Sequence, residues 1–464
     1  MRDAADSDLF PLPLVVFEKY ILLDHRPDYP MTYCLTFDFR GHFDRPALDD
    51  SLEEVLPRHP LFTARVKRLP WKGLCWISEG GSFPRIDWDT LDVPLACPHG
   101  EAIDLRRECG LRLWVRQDDG HARLTLQVHH ACADGIGTLH FVGDLLAAYA
   151  LRVNGHDNGR RLVPLDPASL QQRDKFDVEL PEPVSQWHVL KSTVIETFKF
   201  LGRQPAPLVV PGTMPLSARD EQDVRGTPPR PFPGICSHTF DARKTEALRN
   251  EAKRRGVTLN DILLRDAFVA LAEWNAIHDP KSRRRWLRIN MPTNLRVRKD
   301  RRMPAANMMG YAFLTRHRAE CDDSDELLEG IHRETELIKQ WSLGLMFLDG
   351  LAFISRIPGL LRLTTRRRRC LASVVLSNLG DPALHFHTRL RNGDRRIQAG
   401  GVVFERLTGS PPVRPLTHAA VLASRHAGQL TVSLRCTPVL FSLADAEAFL
   451  AKYVEFLEKT AAPL

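Results

Sequence analysis

The chain has 464 residues, 43% hydrophobic and 26% charged, so it carries enough apolar material to bury a large core and is too balanced for disorder throughout. Lysine and arginine total 64 against 57 acidic residues, a formal charge of +7, and a surplus that small argues against nucleic acid as a partner unless it is concentrated on one face. The nine cysteines form no CxxC pair, which speaks against a disulfide framework and a zinc site and for reduced thiols in a cytoplasmic protein. The N-terminal Met-Arg-Asp-Ala-Ala-Asp-Ser-Asp lacks the basic flank and cleavage site of a secretory signal. The best apolar stretch, residues 343–363, is interrupted by Asp349 and Arg356, so no membrane-spanning helix is expected.

At about 150 residues per domain the length allows roughly three domains or two large ones, and the hydrophobic pattern favours two. Residues 31–39 are rich in β-formers, and after Gly41 and Pro46 a helical face of Leu48, Leu52, Val55 and Leu56 runs to a stop before Pro60. Strands are predicted at 61–69 and 74–77, followed by an irregular stretch to Gly100. Residues 123–130 alternate, with Leu124, Leu126 and Val128 on one face and Arg123, Thr125 and Gln127 on the other, which predicts a half-buried strand. Ile136, Leu139, Val142, Leu146 and Tyr149 then follow at helical spacing. Between 153 and 233 prolines cluster and periodicity weakens, apart from an amphipathic helix predicted over 183–201.

The second half opens with a strand near His238 and helices over 245–255 and 259–274, separated by Gly256 as a C-cap. Strands at 288–292 and 312–316, a helix over 325–340 and a short buried strand at 373–376 come next. Residues 429–436 alternate through Leu430, Val432 and Leu434, and Ser442 with Asp445 opens a final helix in the manner of a capping box. This last strand-then-helix unit matches the one at 123–149, which suggests two related halves of which only the first kept its histidines. The predicted organisation is an N-terminal half at 1–180, a linker at 181–233 and a C-terminal half at 234–464.

The chemistry concentrates where the first alternating strand ends, in His129-His130-Ala131-Cys132-Ala133-Asp134-Gly135, which spells HHxxxDG. Adjacent strand residues face opposite ways, so the two imidazoles do not serve one centre together. Parity puts His130 with Leu124, Leu126 and Val128, an apolar environment that keeps the ring neutral near pH 7, as a general base requires. His129 falls beside Gln127 and is expected to hold the loop by hydrogen bonds. Asp134 has two readings: a helix N-cap, or a buried carboxylate paired with an arginine to fix the loop that aims His130. Gly135 permits a close turn and leaves room for a substrate. Neither HxxxH nor an acidic cluster accompanies the histidines, so no metal is expected.

Gly-x-Ser-x-Gly, GxGxxG and GxxxxGK[ST] are all missing, which removes the common hydrolase, dinucleotide and phosphate-loop signatures. A base without a protein nucleophile implies direct transfer: His130 takes the proton of an acceptor hydroxyl or amine as that group attacks an activated acyl carbonyl, with a nearby donor for the oxyanion.

These residues resemble the coenzyme A-dependent acyltransferases of the chloramphenicol acetyltransferase type, which include peptide-synthetase condensation domains, wax ester synthases and polyketide-associated acyltransferases. The likeness extends along nearly the whole chain. Pro11-Leu12 with Glu18, Phe43-Asp44 with Leu48, and Arg58-His59-Pro60-Leu61 look like the family's opening, and Gly256-Val-Thr-Leu-Asn-Asp-Ile-Leu like its second-half helix start. Pro292-Thr-Asn-Leu-Arg296 resembles the strand end whose arginine pairs with the motif aspartate, and Asn307-Met-Met-Gly the turn after it. Ser377-Asn378-Leu379-Gly380 looks like the segment bordering the substrate channel. The Asp-Phe-Gly-Trp-Gly of plant members is absent, which leaves the subfamily open. The resemblance implies an α/β (α+β) fold of two halves, each a mixed sheet with flanking helices, and a tunnel between them with His130 midway, Arg296 in support and Asn307, Ser377 and Asn378 along the channel.

The function expected from all of this is a free-standing enzyme of lipid or secondary metabolism that moves an acyl group from acyl-coenzyme A, a cosubstrate and not a bound cofactor, to a small-molecule or lipid alcohol. A condensation-type enzyme using an acyl carrier protein or an amine acceptor is the first alternative, and a non-catalytic binding protein of the same fold the second. The arginine runs at 283–285 and 366–369 read as solvated surface; the second follows the apolar stretch 343–363, whose residues are either core and channel wall or a seat on anionic lipid, a peripheral membrane contact.

Overall fold

A computed structural model of the chain describes residues 9–78, 83–97, 100–154, 162–177, 200, 202–212, 232–281, 285–322, 324–366, 369–391 and 396–462. In chain order the first elements are β1 (Leu12–Pro13), α1 (Val16–Asp24), β2 (Thr32–Arg40), α2 (Arg45–Val55), β3 (Arg65–Leu69), β4 (Gly73–Ile77), β5 (Ile86–Asp89), β6 (Leu111–Gln117), β7 (His121–His129) and α3 (Gly135–Asn154). Then come β8 (Cys236–Phe240), α4 (Ala242–Arg254), α5 (Leu259–His278), β9 (Trp286–Asn294), β10 (Met309–His317), α6 (Asp325–Gln340), α7 (Leu345–Ser355), α8 (Leu360–Arg366) and β11 (Val374–Gly380). The last are β12 (Gln398–Ala399), β13 (Val402–Ser410), β14 (Ala419–His426), β15 (Gln429–Cys436) and α9 (Leu443–Ala461).

Two six-stranded sheets carry the architecture, ordered β12-β13-β2-β7-β6-β5 and β10-β9-β11-β14-β15-β8, with β1, β4 and β3 forming a small third sheet. Both large sheets are mixed: β5 is parallel to β6 in the first, and β11 is parallel to β9 and β14 in the second. The alternating segments β7 and β15 are each antiparallel to both neighbours and followed by a helix. The two hydrophobic cores follow this layout, one gathered on β2, β7 and α3, the other on β9, β14, β15, α5 and α9.

Several expectations are corrected here. The strand at β7 is covered on both faces, because Thr125 and Gln127 are as buried as Leu124 and Leu126; Gln127 is satisfied there by donating to Thr32 Oγ1 at 3.2 Å and to the Glu101 carbonyl at 2.6 Å. The strand predicted at 61–69 begins only at Arg65, since Pro60–Phe62 forms a 3₁₀ turn with proline at its first position. Residues 398–410, from the C-terminal half, supply β12 and β13 to the first sheet, and β13 pairs with β2 from Ser410↔Cys34 to Val403↔Arg40. The helix predicted over 183–201, apart from Phe200, and most of the linker lie outside the described residues.

Among the described residues α3 alone is long and apolar enough to cross a membrane by itself, although His140 and Asp144 interrupt the run in sequence; 78% of its most apolar window is buried inside the fold. Helix α1, which the sequence pattern does not announce, is seated by Glu18, whose fully buried carboxylate accepts from Arg173 Nε at 2.6 Å and Nη2 at 2.8 Å and from Trp76 Nε1 at 3.0 Å. That ion pair, closed with further hydrogen bonds, is the form in which a buried charge is tolerated, and it fixes Phe17 and Tyr20 on the same helix.

Candidate active site

The HHxxxDG loop spans the gap between the end of β7 and the start of α3. His129 turns the loop back on itself, its Nδ1 accepting from the Ala131 amide at 3.1 Å while its ring stacks on His25 with centroids 5.0 Å apart. His130 continues the pairing of β7 with β2 by donating its amide to the Met31 carbonyl at 2.8 Å, so its side chain shares the face of Tyr33 and Leu35. The ring is 6% exposed and meets Tyr33 and Phe17 edge-on, with centroids 5.2 and 6.2 Å away. Burial holds its pKa below the ordinary value for histidine, so the imidazole is neutral near pH 7. Nδ1 is buried without a hydrogen-bond partner.

Asp134 fulfils both of its readings at once. Oδ1 accepts from the Gly137 amide at 2.7 Å, which caps α3, and from Arg296 Nη2 at 2.9 Å; Oδ2 accepts from Arg296 Nη1 and from the Met308 amide, both at 2.8 Å. Burial by itself would push the carboxyl up, but the charge of Arg296 and these donors outweigh it and hold the group below its ordinary range. Arg296 also donates to the Ala306 carbonyl at 2.8 Å. The glycines follow from the same closeness: a Cβ on Gly137 would sit 2.8 Å from the Ala306 oxygen, and one on Gly135 would press to 3.0 Å on Leu379.

Asn307 is brought to the motif and not to the channel wall. Its Nδ2 donates to the carbonyls of His130 at 2.7 Å and Ala131 at 3.0 Å from a site 3% exposed, because the turn before β10 wraps beneath the loop. The preceding residue pair is anchored from the other side. The Ala305 amide donates to His59 Nδ1 at 2.9 Å, and Arg58, on the same Arg-His-Pro turn, donates to the buried Asp144 of α3 at 2.9 and 3.1 Å. Sequence reasoning misses Asp144, which resembles any mid-helix acidic residue until the fold sets Arg58, His59 and His387 around it.

His130 and Gly135 open on a cleft of about 80 Å³ between the two large sheets, walled by Met31 and Leu35 on one side and by Met309, Val375, Leu379 and Leu422 on the other. Ser377 lies on this wall. Asn378, one residue on, faces the opposite way into a neighbouring pocket and donates to Asn260 Oδ1 at 3.2 Å. No group of three or more His, Cys, Asp or Glu among the described residues is arranged to hold a metal ion. The apolar stretch at 343–363 forms α7 and α8: inwardly, Phe347 packs 5.5 Å from Tyr20 and 5.0 Å from Tyr311, while Phe353, Ile357 and Leu363 are exposed. Arg283, Arg284, Arg367 and Arg368 lie outside the described residues.

No family model matches the chain. Among curated proteins it is similar to the nonribosomal peptide synthetase TES of Alternaria alternata, 28% identical over 141 residues, a match spanning 29% of this chain and 3% of that one. Among solved structures, the first condensation domain of the calcium-dependent antibiotic synthetase superposes with a TM-score of 0.66 at 14% identity, covering 97% of this chain and 96% of that one. Trichothecene 15-O-acetyltransferase from Fusarium sporotrichioides gives 0.66 at 13% identity, covering 97% and 94%. Polyketide synthase associated protein 5 from Mycobacterium tuberculosis gives 0.58 at 16%, covering 98% of each. The fold is the two-lobed condensation-domain fold. Within it, β7 and its HHxxxDG loop lie where the first sheet meets the second across the cleft.

Because Asp134 and Arg296 are 5% and 10% exposed at their side chains, removing either partner leaves the other buried and unpaired. Asp134→Ala and Arg296→Ala each cost about 3–5 kcal/mol in urea unfolding, and the double variant falls well short of the sum. Additive losses would mean that the two groups do not act as a pair.

Proposed function

We propose that the protein is an acyltransferase that passes an acyl group from a coenzyme A thioester directly to a hydroxyl, with His130 as general base. The observation that carries this reading is a neutral, buried imidazole whose loop is clamped by Asp134 and Arg296 and whose ring opens on an apolar cleft. We assign the base role to Nε2, with the proton on Nδ1, because Nδ1 is buried in the fold where a substrate does not reach it.

In the proposed reaction Nε2 takes the hydroxyl proton as the oxygen bonds to the thioester carbon. The tetrahedral oxyanion collapses by breaking the C–S bond, and the imidazolium returns the proton to the leaving thiolate, giving ester and free thiol. The Ser377 hydroxyl, on the cleft wall and without a hydrogen-bond partner among the described residues, is suited to donate to the oxyanion. His129 and Asn307 act as positioning residues: each fixes backbone of the loop, and neither meets the cleft. The aliphatic wall suits an acyl chain or a lipid alcohol.

The likeness to condensation domains favours a second reading, in which a carrier protein delivers the acyl group or an amine accepts it. Supplying acyl-coenzyme A or acyl-carrier protein separately with a panel of alcohols and amines, and following thiol release, decides between them; turnover with neither would favour a non-catalytic binding protein.

His130→Ala lowers kcat by about 100-fold or more in a protein whose circular dichroism is unchanged. Because the base works as the neutral form and its pKa is lowered, kcat/KM stays level down to about pH 6.5 and falls only below it. An unchanged rate in the variant removes His130 from the chemistry.

We also propose a cytoplasmic location with peripheral contact to anionic lipid through α7 and α8, supported by exposed Phe353, Ile357 and Leu363 beside the exposed Arg356 and Arg362. Asp349, on the same exposed face, is the one acidic side chain of these two helices. Replacing Arg366, Arg367, Arg368 and Arg369 with Gln weakens sedimentation with anionic vesicles at low salt, at about 1 kcal/mol per arginine near the bilayer, and spares neutral vesicles. Equal binding by variant and parent returns the segment to a packing role.

A further inference from the structure

The cleft contains polar groups for which transfer at His130 has no use. Its second wall is set by strand parity: residues 290 and 292 of β9, 309, 311 and 313 of β10, and 375, 377 and 379 of β11 all face the cleft. An inner sheet face of this kind is normally filled with aliphatic and aromatic side chains. Asn290 breaks that rule on β9, which is next to the edge strand and paired on both sides, with Asn290 opposite Phe313 of β10 and Val375 of β11. It is 8% exposed, and its side-chain oxygen is buried with no hydrogen-bond partner. A buried amide left unpaired is destabilising, whereas valine or leucine would fit this position without that cost.

A second polar group lies on the same cleft. Arg414 directs Nε and Nη2 to the buried Asp24, which leaves Nη1 without a hydrogen-bond partner among the described residues. The phenols of Tyr20 and Tyr311 share this end of the cleft, and burial keeps both in the neutral, donating form. Since Asp24 already balances the guanidinium, this end suits a neutral oxygen better than a second anion.

We propose that the chain held in the cleft is oxygenated, a hydroxyacyl chain whose hydroxyl donates to the Asn290 side-chain oxygen, with Arg414 available to a further oxygen. Asn290 is thus a specificity-determining residue, and the assignment rests on the acyl-transfer reading above for what the cleft holds. A site that must hydrogen-bond a substrate hydroxyl discriminates strongly against the chain lacking it, because the site's own polar group is otherwise left unpaired.

The test compares octanoyl-coenzyme A with a set of monohydroxy-octanoyl-coenzyme A isomers, measuring both binding by calorimetry without acceptor and kcat/KM with an alcohol. At least one hydroxy isomer binds about 10-fold or more tightly than the plain chain, and Asn290→Leu abolishes that preference while strengthening binding of octanoyl-coenzyme A. Asn290→Val, which suits a strand, replaces the leucine variant if that one fails to fold. Equal or tighter binding of the plain chain by the parent, or a preference that survives both substitutions, overturns the proposal. A preference seen in binding and lost in the variants, without turnover of any thioester, sustains the role of Asn290 and rejects acyl transfer from coenzyme A to an alcohol. No binding of any thioester rejects both.

Discussion

One buried carboxylate holds this molecule's two halves in register. Asp134 belongs to the first sheet's loop, yet two of its four hydrogen bonds come from Arg296 and one from the Met308 amide, both contributed by the second half. The remaining one, from Gly137, starts α3. Taking a carboxylate out of water is tolerated only when every oxygen is satisfied, so the helix start, the turn at 305–308 and the end of β9 must adopt their positions together. The loop that presents His130 is thereby fixed from both sides, and pre-organisation of this kind is what a base within a cleft needs.

The cleft follows from how the sheets meet. Strand β13 comes from late in the chain, pairs with β2, and is tied to the second sheet through the Gly409 amide on Ser433 Oγ at 3.2 Å and Ser424 Oγ on the Leu407 carbonyl at 2.8 Å. The two sheets are therefore joined by a covalent and hydrogen-bonded connection, and the cleft opens between their inner faces. Aliphatic residues on both walls make that space hospitable to an apolar ligand, and among the polar side chains on it are His130, Ser377, Asn290 and Arg414, to which our proposals assign the selection and transformation of what enters.

Much of this is legible in the sequence, for identifiable reasons. The alternation of Leu124, Leu126 and Val128 ends in the histidines, so the parity of His130 follows from the residue pattern alone. The helix starts at Thr258 and Ser442 are legible because each has a side-chain cap with Asp261 or Asp445 reciprocating, and both capping boxes are present. The misses have physical causes as well. Strand β14 is Ala-Ala-Val-Leu-Ala-Ser-Arg-His, buried on both faces, so it shows no alternation, and its alanines favour helix by propensity. Strand β6 does alternate, with Leu111, Leu113 and Val115 on one side, so its pattern is legible in the sequence although no strand is predicted there. Asn290 and Arg414 carry no local signature, because their meaning depends on which strand faces which across the cleft. Family likeness assigns Asn307 to the channel, and only the course of its turn moves it under the loop.

The central claim is direct transfer by a base held in place by that carboxylate, with no acyl group ever resting on the protein. Intact-mass measurement after rapid mixing with acyl-coenzyme A in the absence of acceptor tests it most directly, paired with thiol release as alcohol is added. The account predicts an unmodified protein mass and thiol release that depends on the alcohol. A protein heavier by one acyl group, formed with thiol release before any acceptor is present, would contradict it.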